Sequence, residues 1–170
     1  MHKIVLMLLL WQLFSCGSSD QTHEVPLTTY IDVPAGLNTL ETHFFIRRNI
    51  PSFYAENLSS YGLNDTQILQ ITGARAKIYN KVNSYDLNFI SRISIYAVSS
   101  LDQNEKMEMY YIDLVNFNEG DEIVLLPATS NVKDILDNGK FDLEIRLNFR
   151  DYPPTNMRLD IDFSYLLYFQ

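Results

Sequence analysis

The clearest pattern in the chain is a strict alternation of apolar and polar positions between residues 141 and 163. The apolar members of its two runs are Phe141, Leu143, Ile145, Leu147, Phe149, Leu159, Ile161 and Phe163. Because successive side chains of a strand point to opposite faces, each run predicts a β-strand with one buried and one solvated face. Residues 151–156, which include two prolines, predict a turn that joins the two strands as an antiparallel hairpin.

Shorter runs of β-forming residues predict further strands upstream. They cover residues 28–33, 40–46, 68–82 with a bulge at Gly73, 87–98, 107–115 and 122–126. Residues 52–64 have no clean period and predict a loop or short helical turn. Residues 131–137, with Ser130 as N-cap and Gly139 as the left-handed residue that ends them, predict the clearest helix.

This series of strands with little helix and no internal repeat predicts a mainly β fold. The expected architecture is an antiparallel β-sandwich, immunoglobulin-like or jelly-roll in style, with one short helix. After Phe163 the alternation fails, and residues 166–169 are apolar on both faces. Such a strand is either central and covered on both sides, or an edge that binds a partner by strand addition.

The first twenty residues form a separate unit. Lys3 is followed by an apolar run over residues 4–14, and Cys16, the single cysteine of the chain, is followed by polar residues. This order predicts an export signal, and the run is shorter than the about 20 residues that cross a bilayer. An ordinary secretory signal with a chance cysteine is the alternative to lipidation at Cys16.

The quartet Leu13-Phe14-Ser15-Cys16 resembles the lipobox of bacterial lipoproteins. The resemblance implies cleavage before Cys16, a diacylglyceryl group on its sulfur and a further acyl chain, such as palmitate, on its new amino group. Residues 1–15 would then be a signal peptide, 16–27 a lipidated flexible tether and 28–170 a single domain. Two or three acyl chains make a durable membrane anchor.

The residues after Cys16 bear on the location of the protein. In lipoprotein sorting, Gly17 is compatible with the outer membrane, and Asp20 resembles the acidic surface-export tags of some Bacteroidota lipoproteins. We therefore expect a protein of the cell envelope that is anchored by lipid in the outer membrane. The two alternative locations are the periplasmic face of that membrane and the cell surface.

Charge and residue content narrow the expected chemistry. The net charge of -8 argues against nucleic acid as a partner and against direct binding to anionic lipid heads. With Cys16 consumed and His43 the single histidine of the predicted domain, neither a zinc site nor a Ser-His-Asp triad is expected. The acidic turn over residues 116–122 lacks the spacing of a calcium loop. The sequence therefore predicts no metal and no cofactor.

Acidic residues offer one route to catalysis. Asp142 and Glu144 on one predicted strand, and Asp160 and Asp162 on the next, would share a face of the hairpin and could act as a glycosidase-like pair. Three arginines on the same face, Arg146, Arg150 and Arg158, favour a solvated ladder of cross-strand ion pairs instead.

Aromatic residues offer a route to recognition. Phe53, Tyr54 and Tyr61 in the first long loop, and Tyr152 in the Pro-Pro turn, are the candidates for a binding surface. Their alternative role is to cover the ends of the sandwich.

The sequence thus favours a lipid-anchored, non-enzymatic accessory or structural subunit that binds another envelope protein. The alternatives are a surface lipoprotein that binds a glycan or another ligand and, third, a hydrolase that uses the acidic sheet face.

Overall fold

The computed structural model describes residues 21–81, 85–117 and 120–170. Within these residues the chain is mainly β, as the alternation predicts. The strands are β1 Gln21–Val33, β2 His43–Pro51, β3 Ile68–Tyr79, β4 Ile90–Ser99, β5 Lys106–Ile112, β6 Glu122–Pro127, β7 Lys140–Phe149 and β8 Met157–Phe169. The helices are α1 Tyr54–Tyr61 and α2 Lys133–Leu136, with a 3-10 helix at Asp65–Gln67.

The strands are hydrogen-bonded in the order β1-β8-β3-β6-β5-β4-β7-β2, and all neighbours are antiparallel. Strands β6 and β5 are joined by two residue pairs, Tyr110 with Pro127 and Tyr111 with Leu126. This narrow junction divides the strands into a first sheet, β1-β8-β3-β6, and a second sheet, β5-β4-β7-β2. Two facing antiparallel sheets with these crossovers form a jelly-roll sandwich, one of the two predicted styles.

The core lies between the inner faces of the two sheets. Its fully buried members include Ile93, Ile95, Leu143, Ile145, Leu147, Leu159 and Ile161. These are the apolar positions of the alternating runs, so burial follows the period of two in the sequence.

The hairpin predicted from β7 and β8 is wrong. β7 pairs with β4 and β2 in the second sheet, whereas β8 pairs with β1 and β3 in the first. The connection at residues 150–156 is long enough to carry the chain from one sheet to the other. Alternation determines which face of a strand is buried, but it does not determine the neighbouring strand.

The two outermost strands of the eight-strand order, and therefore its free edges, are β1 and β2, whereas β8 is a central strand between β1 and β3. The apolar residues 166–169 therefore belong to a strand with neighbours on both sides, and strand addition at β8 is ruled out. The two edges approach each other, because the Arg47 guanidinium lies 4.2 Å from the centroid of the Tyr30 ring. The Arg158 guanidinium also lies over this ring, at 3.9 Å. These contacts nearly close the sandwich into a barrel.

The tether predicted over residues 16–27 is wrong from Gln21 onward. Residues 21–27 form the first half of β1, in register with β8 from Phe169 to Phe163. Val25 and Leu27 are buried in the core. Pro26 between them suggested a spacer, but proline is tolerated on an edge strand, where its missing N–H faces away from the ladder.

The helices also differ from the prediction. The longer helix is α1, whose buried residues are Tyr54 and Leu58. The helix predicted over 131–137 is the single turn α2, and Val132 rather than Ser130 is its N-cap. Gly139 adopts the predicted left-handed conformation, with φ 78°. Among the described residues, no helix has the length and apolar content needed to cross a membrane.

The predicted bulge at Gly73 is confirmed, and a tyrosine from the opposite sheet fills it. The register between β3 and β8 shifts between Gly73 and Arg75. There the buried Tyr110 hydroxyl of β5 donates to the Ser164 carbonyl oxygen at 2.5 Å. A Cβ on Gly73 would lie 2.6 Å from the Met109 carbonyl oxygen and 2.9 Å from the Tyr110 ring. Glycine is therefore required where β5 passes over the bulge.

Candidate functional site

The sandwich has two ends with different structures. The proximal end contains Gln21, both helices and the loop at residues 100–105. The distal end is formed by the described loops at residues 34–42, 85–89, 113–117 and 150–156. Cys16 lies outside the described residues, but Gln21 follows it by five positions and begins β1 at the proximal end.

The four predicted aromatic residues do not form one surface. The Ser52 N–H donates to the Gly139 carbonyl oxygen at 3.0 Å, which places the start of α1 beside the start of β7. Phe53, Tyr54 and Tyr61 therefore lie at the proximal end, whereas Tyr152 follows the far end of β7. The sequence could not separate them, because that required the pairing of the strands.

Tyr54 is part of the core of the proximal end. Its side chain is 4% exposed, and its hydroxyl donates to Asp65 Oδ1 at 2.5 Å. Lys133 Nζ lies 2.9 Å from the same carboxylate. Burial, together with the Asp65 carboxylate, raises the pKa of Tyr54, and the Tyr54 hydroxyl and Lys133 hold the pKa of Asp65 below its ordinary 3.8. This network ties α1, the 3-10 helix and α2 together.

The lowered pKa of Asp65 predicts an acid-dependent loss of stability. The contribution of the Asp65 carboxylate to the free energy of unfolding is complete above its ordinary pKa of 3.8. It is lost as the pH falls through the lower pKa of the folded state. Asp65→Asn should flatten the dependence of unfolding free energy on pH in that window. Solvent screens this exposed carboxylate, so we expect a change of about 1 kcal/mol or less.

Urea titrations at several pH values below 5 would measure this effect. Asp86→Asn, which removes an exposed carboxylate of the distal end, is the matched control. An unaltered profile for Asp65→Asn would contradict the assigned role of the network.

His23, expected in the tether, is instead a structural contact of the proximal end. With the proton on Nε2, His23 donates to Asn57 Oδ1 at 3.2 Å and accepts from the Tyr61 hydroxyl at Nδ1, at 2.9 Å. The His23 and Tyr61 rings are 4.3 Å apart. His23 thus links the start of β1 to helix α1.

Several of the most exposed apolar side chains lie on loops of the distal end. Leu40 is 94% exposed, Leu114 and Phe117 are 71% exposed and Tyr152 is 60% exposed. We call these four residues the distal surface. Large apolar side chains in this number on connected loops are typical of a recognition surface.

Hydrogen bonds hold the loops that carry the distal surface. The Arg150 guanidinium donates to the Val115 and Ile90 carbonyl oxygens and lies 4.1 Å from the centroid of the Phe117 ring. The Gly36 N–H donates to the Pro153 carbonyl oxygen at 3.0 Å, which links the loops of Leu40 and Tyr152. These contacts restrain the loops that carry Leu40, Phe117 and Tyr152, which lowers the entropy cost of ordering them on binding. Arg150 was expected to form cross-strand ion pairs on a solvated sheet face. It instead holds a loop through hydrogen bonds to backbone carbonyl oxygens, which the alternation of apolar and polar residues does not encode.

The four predicted acidic residues are distributed over both sheets. Asp142 and Glu144 lie on β7 in the second sheet, and Asp160 and Asp162 lie on β8 in the first. Three of them have neighbouring partners. Asp142 accepts from the Asn49 N–H at 2.9 Å, Glu144 pairs with Arg146 at 2.6 Å, and Asp162 accepts from the Thr28 hydroxyl at 3.0 Å. The hairpin face on which the hydrolase hypothesis depended does not exist.

His43, expected to be the single histidine of the domain, lies at the start of β2. That expectation is wrong, because β1 contributes a second histidine, His23. Its Nε2 is 2.9 Å from the Asn38 carbonyl oxygen, and its ring centroid is 5.2 Å from that of Phe149. Among the described residues, no group of three or more His, Cys, Asp or Glu side chains is placed to hold a metal ion.

Comparison with known proteins gives structural likeness alone. No protein-family model matches the chain, and no curated protein matches it significantly. Among solved structures, a chain of Desmodium yellow mottle tymovirus is 12% identical in sequence to this chain, with a TM-score of 0.29 and 89% of each chain covered. The decameric BFDV capsid protein is 9% identical, with a TM-score of 0.40, covering 89% of this chain and 100% of the other. Turnip yellow mosaic virus is 8% identical, with a TM-score of 0.30, covering 89% and 82%.

Proposed function

We propose that this chain is a non-enzymatic subunit of the cell envelope, anchored in the outer membrane through lipid on Cys16, and that its distal surface binds another envelope protein. The observation that carries the proposal is the position of the distal surface, at the end of the sandwich opposite Gln21. A lipid anchor and a binding surface at opposite ends can act at the same time.

The distance from Cys16 to the domain supports this orientation. The five residue steps to Gln21 span at most about 18 Å, so an anchor at Cys16 would keep the proximal end close to the membrane. β1, with 13 residues, runs the length of the sandwich, which is about 40 Å at the usual rise per residue. The distal surface would then project toward a partner.

The chemistry of the two ends supports a protein as the partner. Aromatic residues and arginine are enriched at protein interfaces, and the distal end combines Phe117, Tyr152 and the guanidinium of Arg150. The proximal end carries several acidic side chains, among them Asp102, Glu105, Asp134 and Asp137. These carboxylates would not favour direct adsorption to anionic lipids, so the acyl chains would hold the membrane.

Stoichiometric co-purification from native membranes in mild detergent tests the proposal. One envelope protein should accompany the wild-type chain, and Phe117→Ser with Tyr152→Ser should reduce its recovery at least tenfold. Each lost aromatic contact at the centre of an interface costs about 2 kcal/mol, roughly 30-fold in affinity.

Phe53→Ser is the matched control, since it removes an exposed aromatic side chain at the proximal end. It should leave recovery of the partner unchanged. Recovery of the lipoprotein alone, or loss of the partner with Phe53→Ser but not with the distal variants, would contradict the proposal.

A further inference from the structure

A groove lies on the outer face of the first sheet, away from both ends of the sandwich. It has a volume of about 680 Å³ and is lined by residues of β1, β8, β3 and β6. Its origin is the path of β6, which pairs with β3 from Ala76 to Tyr79 and then turns to join β5. The departure of β6 leaves a depression beside the β3 bulge. Its size is within the range of small-molecule sites, about 300–1,000 Å³.

Apolar side chains supply part of the groove lining. Pro26 of β1, Ala74 of β3, and Val124 and Pro127 of β6 line it. Pro26, Val124 and Pro127 are exposed to solvent. These side chains offer hydrocarbon surface to a ligand, although the groove has no deep apolar pocket.

Charged groups of both signs also line the groove. Arg75 pairs with Glu24 at 2.7 Å, and the Ser164 hydroxyl donates to the same carboxylate. Asp162 accepts from the Thr28 hydroxyl. The Ser164 hydroxyl and the Arg75 guanidinium hold the pKa of Glu24 below its ordinary range, so this carboxylate is ionised at neutral pH.

Lys77 completes the set of charges. It forms an ion pair with Glu122 at 2.9 Å, beyond the groove lining, and the Asp162 carboxylate is close enough to favour its charged form. The lining thus presents two carboxylates and two cations, and each cation has an acidic partner.

This balance of charge favours a neutral polar ligand over an anion, a cation or an apolar molecule. An anion would meet Glu24 and Asp162, a cation would meet Arg75 and Lys77, and a wholly apolar ligand would remove all four groups from water. A neutral ligand rich in hydroxyl groups can donate to the carboxylates and accept from the cations. Its C–H faces can rest on the exposed proline and valine side chains.

We propose that the groove formed by Glu24, Arg75, Lys77 and Asp162 over Pro26 and Val124 binds a neutral saccharide. The site is independent of the distal surface and of Phe53, Tyr54, Tyr61 and Tyr152, the candidates for a binding surface in the sequence. It adds a second recognition site on the side of the sandwich.

The test is binding of the purified full chain, in detergent, to arrays of neutral, carboxylated and amine-bearing oligosaccharides and of unstructured peptides. A neutral oligosaccharide should bind, and its affinity is then measured by titration calorimetry. Arg75→Ala should weaken it about tenfold, the usual effect of losing a hydrogen bond to a charged group.

Arg92→Ala is the matched control, because Arg92 forms a comparable exposed ion pair with Asp113, at 3.0 Å, on the second sheet. It should change the affinity less than twofold, and thermal unfolding verifies that both variants are folded. Binding confined to charged glycans or to peptides, no binding at all, or equal affinity in wild type and Arg75→Ala would overturn the assignment. Phe117→Ser should leave saccharide binding intact, which separates this result from failure of the distal surface.

Discussion

Replacing Gly73 with alanine is expected to lower the free energy of unfolding by about 3 kcal/mol, a large part of the 5–15 kcal/mol typical of a domain. The added Cβ would lie 2.6 Å from the Met109 carbonyl oxygen, a backbone atom that also accepts from the Ala128 N–H at 2.8 Å. A flexible side chain could move aside, but this carbonyl can shift only with β5 itself. Equilibrium urea unfolding measures the change.

Gly36→Ala is the control for the general cost of removing a glycine. Gly36 has φ 72°, and a Cβ there would meet no atom within 4 Å. Gly36→Ala would therefore add only the strain of a left-handed alanine, and the free energy of unfolding should fall by about 1 kcal/mol. Equal losses in the two variants would show that close approach of β5 to the bulge does not determine the residue at position 73.

Cys16→Ala is expected to move the protein from the membrane fraction to the soluble fraction, or to leave it uncleaved and without lipid. Each buried CH₂ of an acyl chain contributes about 0.8 kcal/mol, so loss of two or three chains removes essentially all of the membrane affinity supplied by the anchor. Metabolic labelling with an alkyne fatty acid, followed by fractionation, measures both effects.

Ser15→Ala is the matched control for this experiment. It keeps a small residue before Cys16 and should be labelled and retained in membranes like the wild type. Lipid labelling of Cys16→Ala at the wild-type level would refute the anchor. The experiments on the distal surface and the groove would remain valid, because they test residues of the folded domain.

The fold class could be predicted because burial in a sandwich repeats every second residue, and β7 and β8 show this in Leu143 to Leu147 and Leu159 to Phe163. The partner of each strand could not be predicted in the same way. A strand with one apolar face fits beside any strand whose apolar face points to the same core. The connection at 150–156 carried no signal that distinguishes a hairpin from a crossing between sheets.

The short helices and the first half of β1 were predicted least well, because their local sequence patterns are weak. Helix α1 buries only Tyr54 and Leu58, and two buried positions do not establish a helical period. In β1, the alternation of Val25, Pro26 and Leu27 was present, but polar neighbours and a proline favoured a tether. The candidate sites could be predicted least of all, because both the distal surface and the groove are assembled from residues that are far apart in the sequence.

The pairing of β1 with β8 has a consequence for how the chain reaches its folded state. Thr28 and Asp162, hydrogen-bonded across these strands, are 134 positions apart. Such non-local pairing gives a high contact order, and sheet proteins of this kind fold in milliseconds to seconds rather than microseconds. The first sheet cannot close during synthesis until β8 has been made. A nascent chain with this topology therefore completes its first sheet only after the last strand has been synthesised.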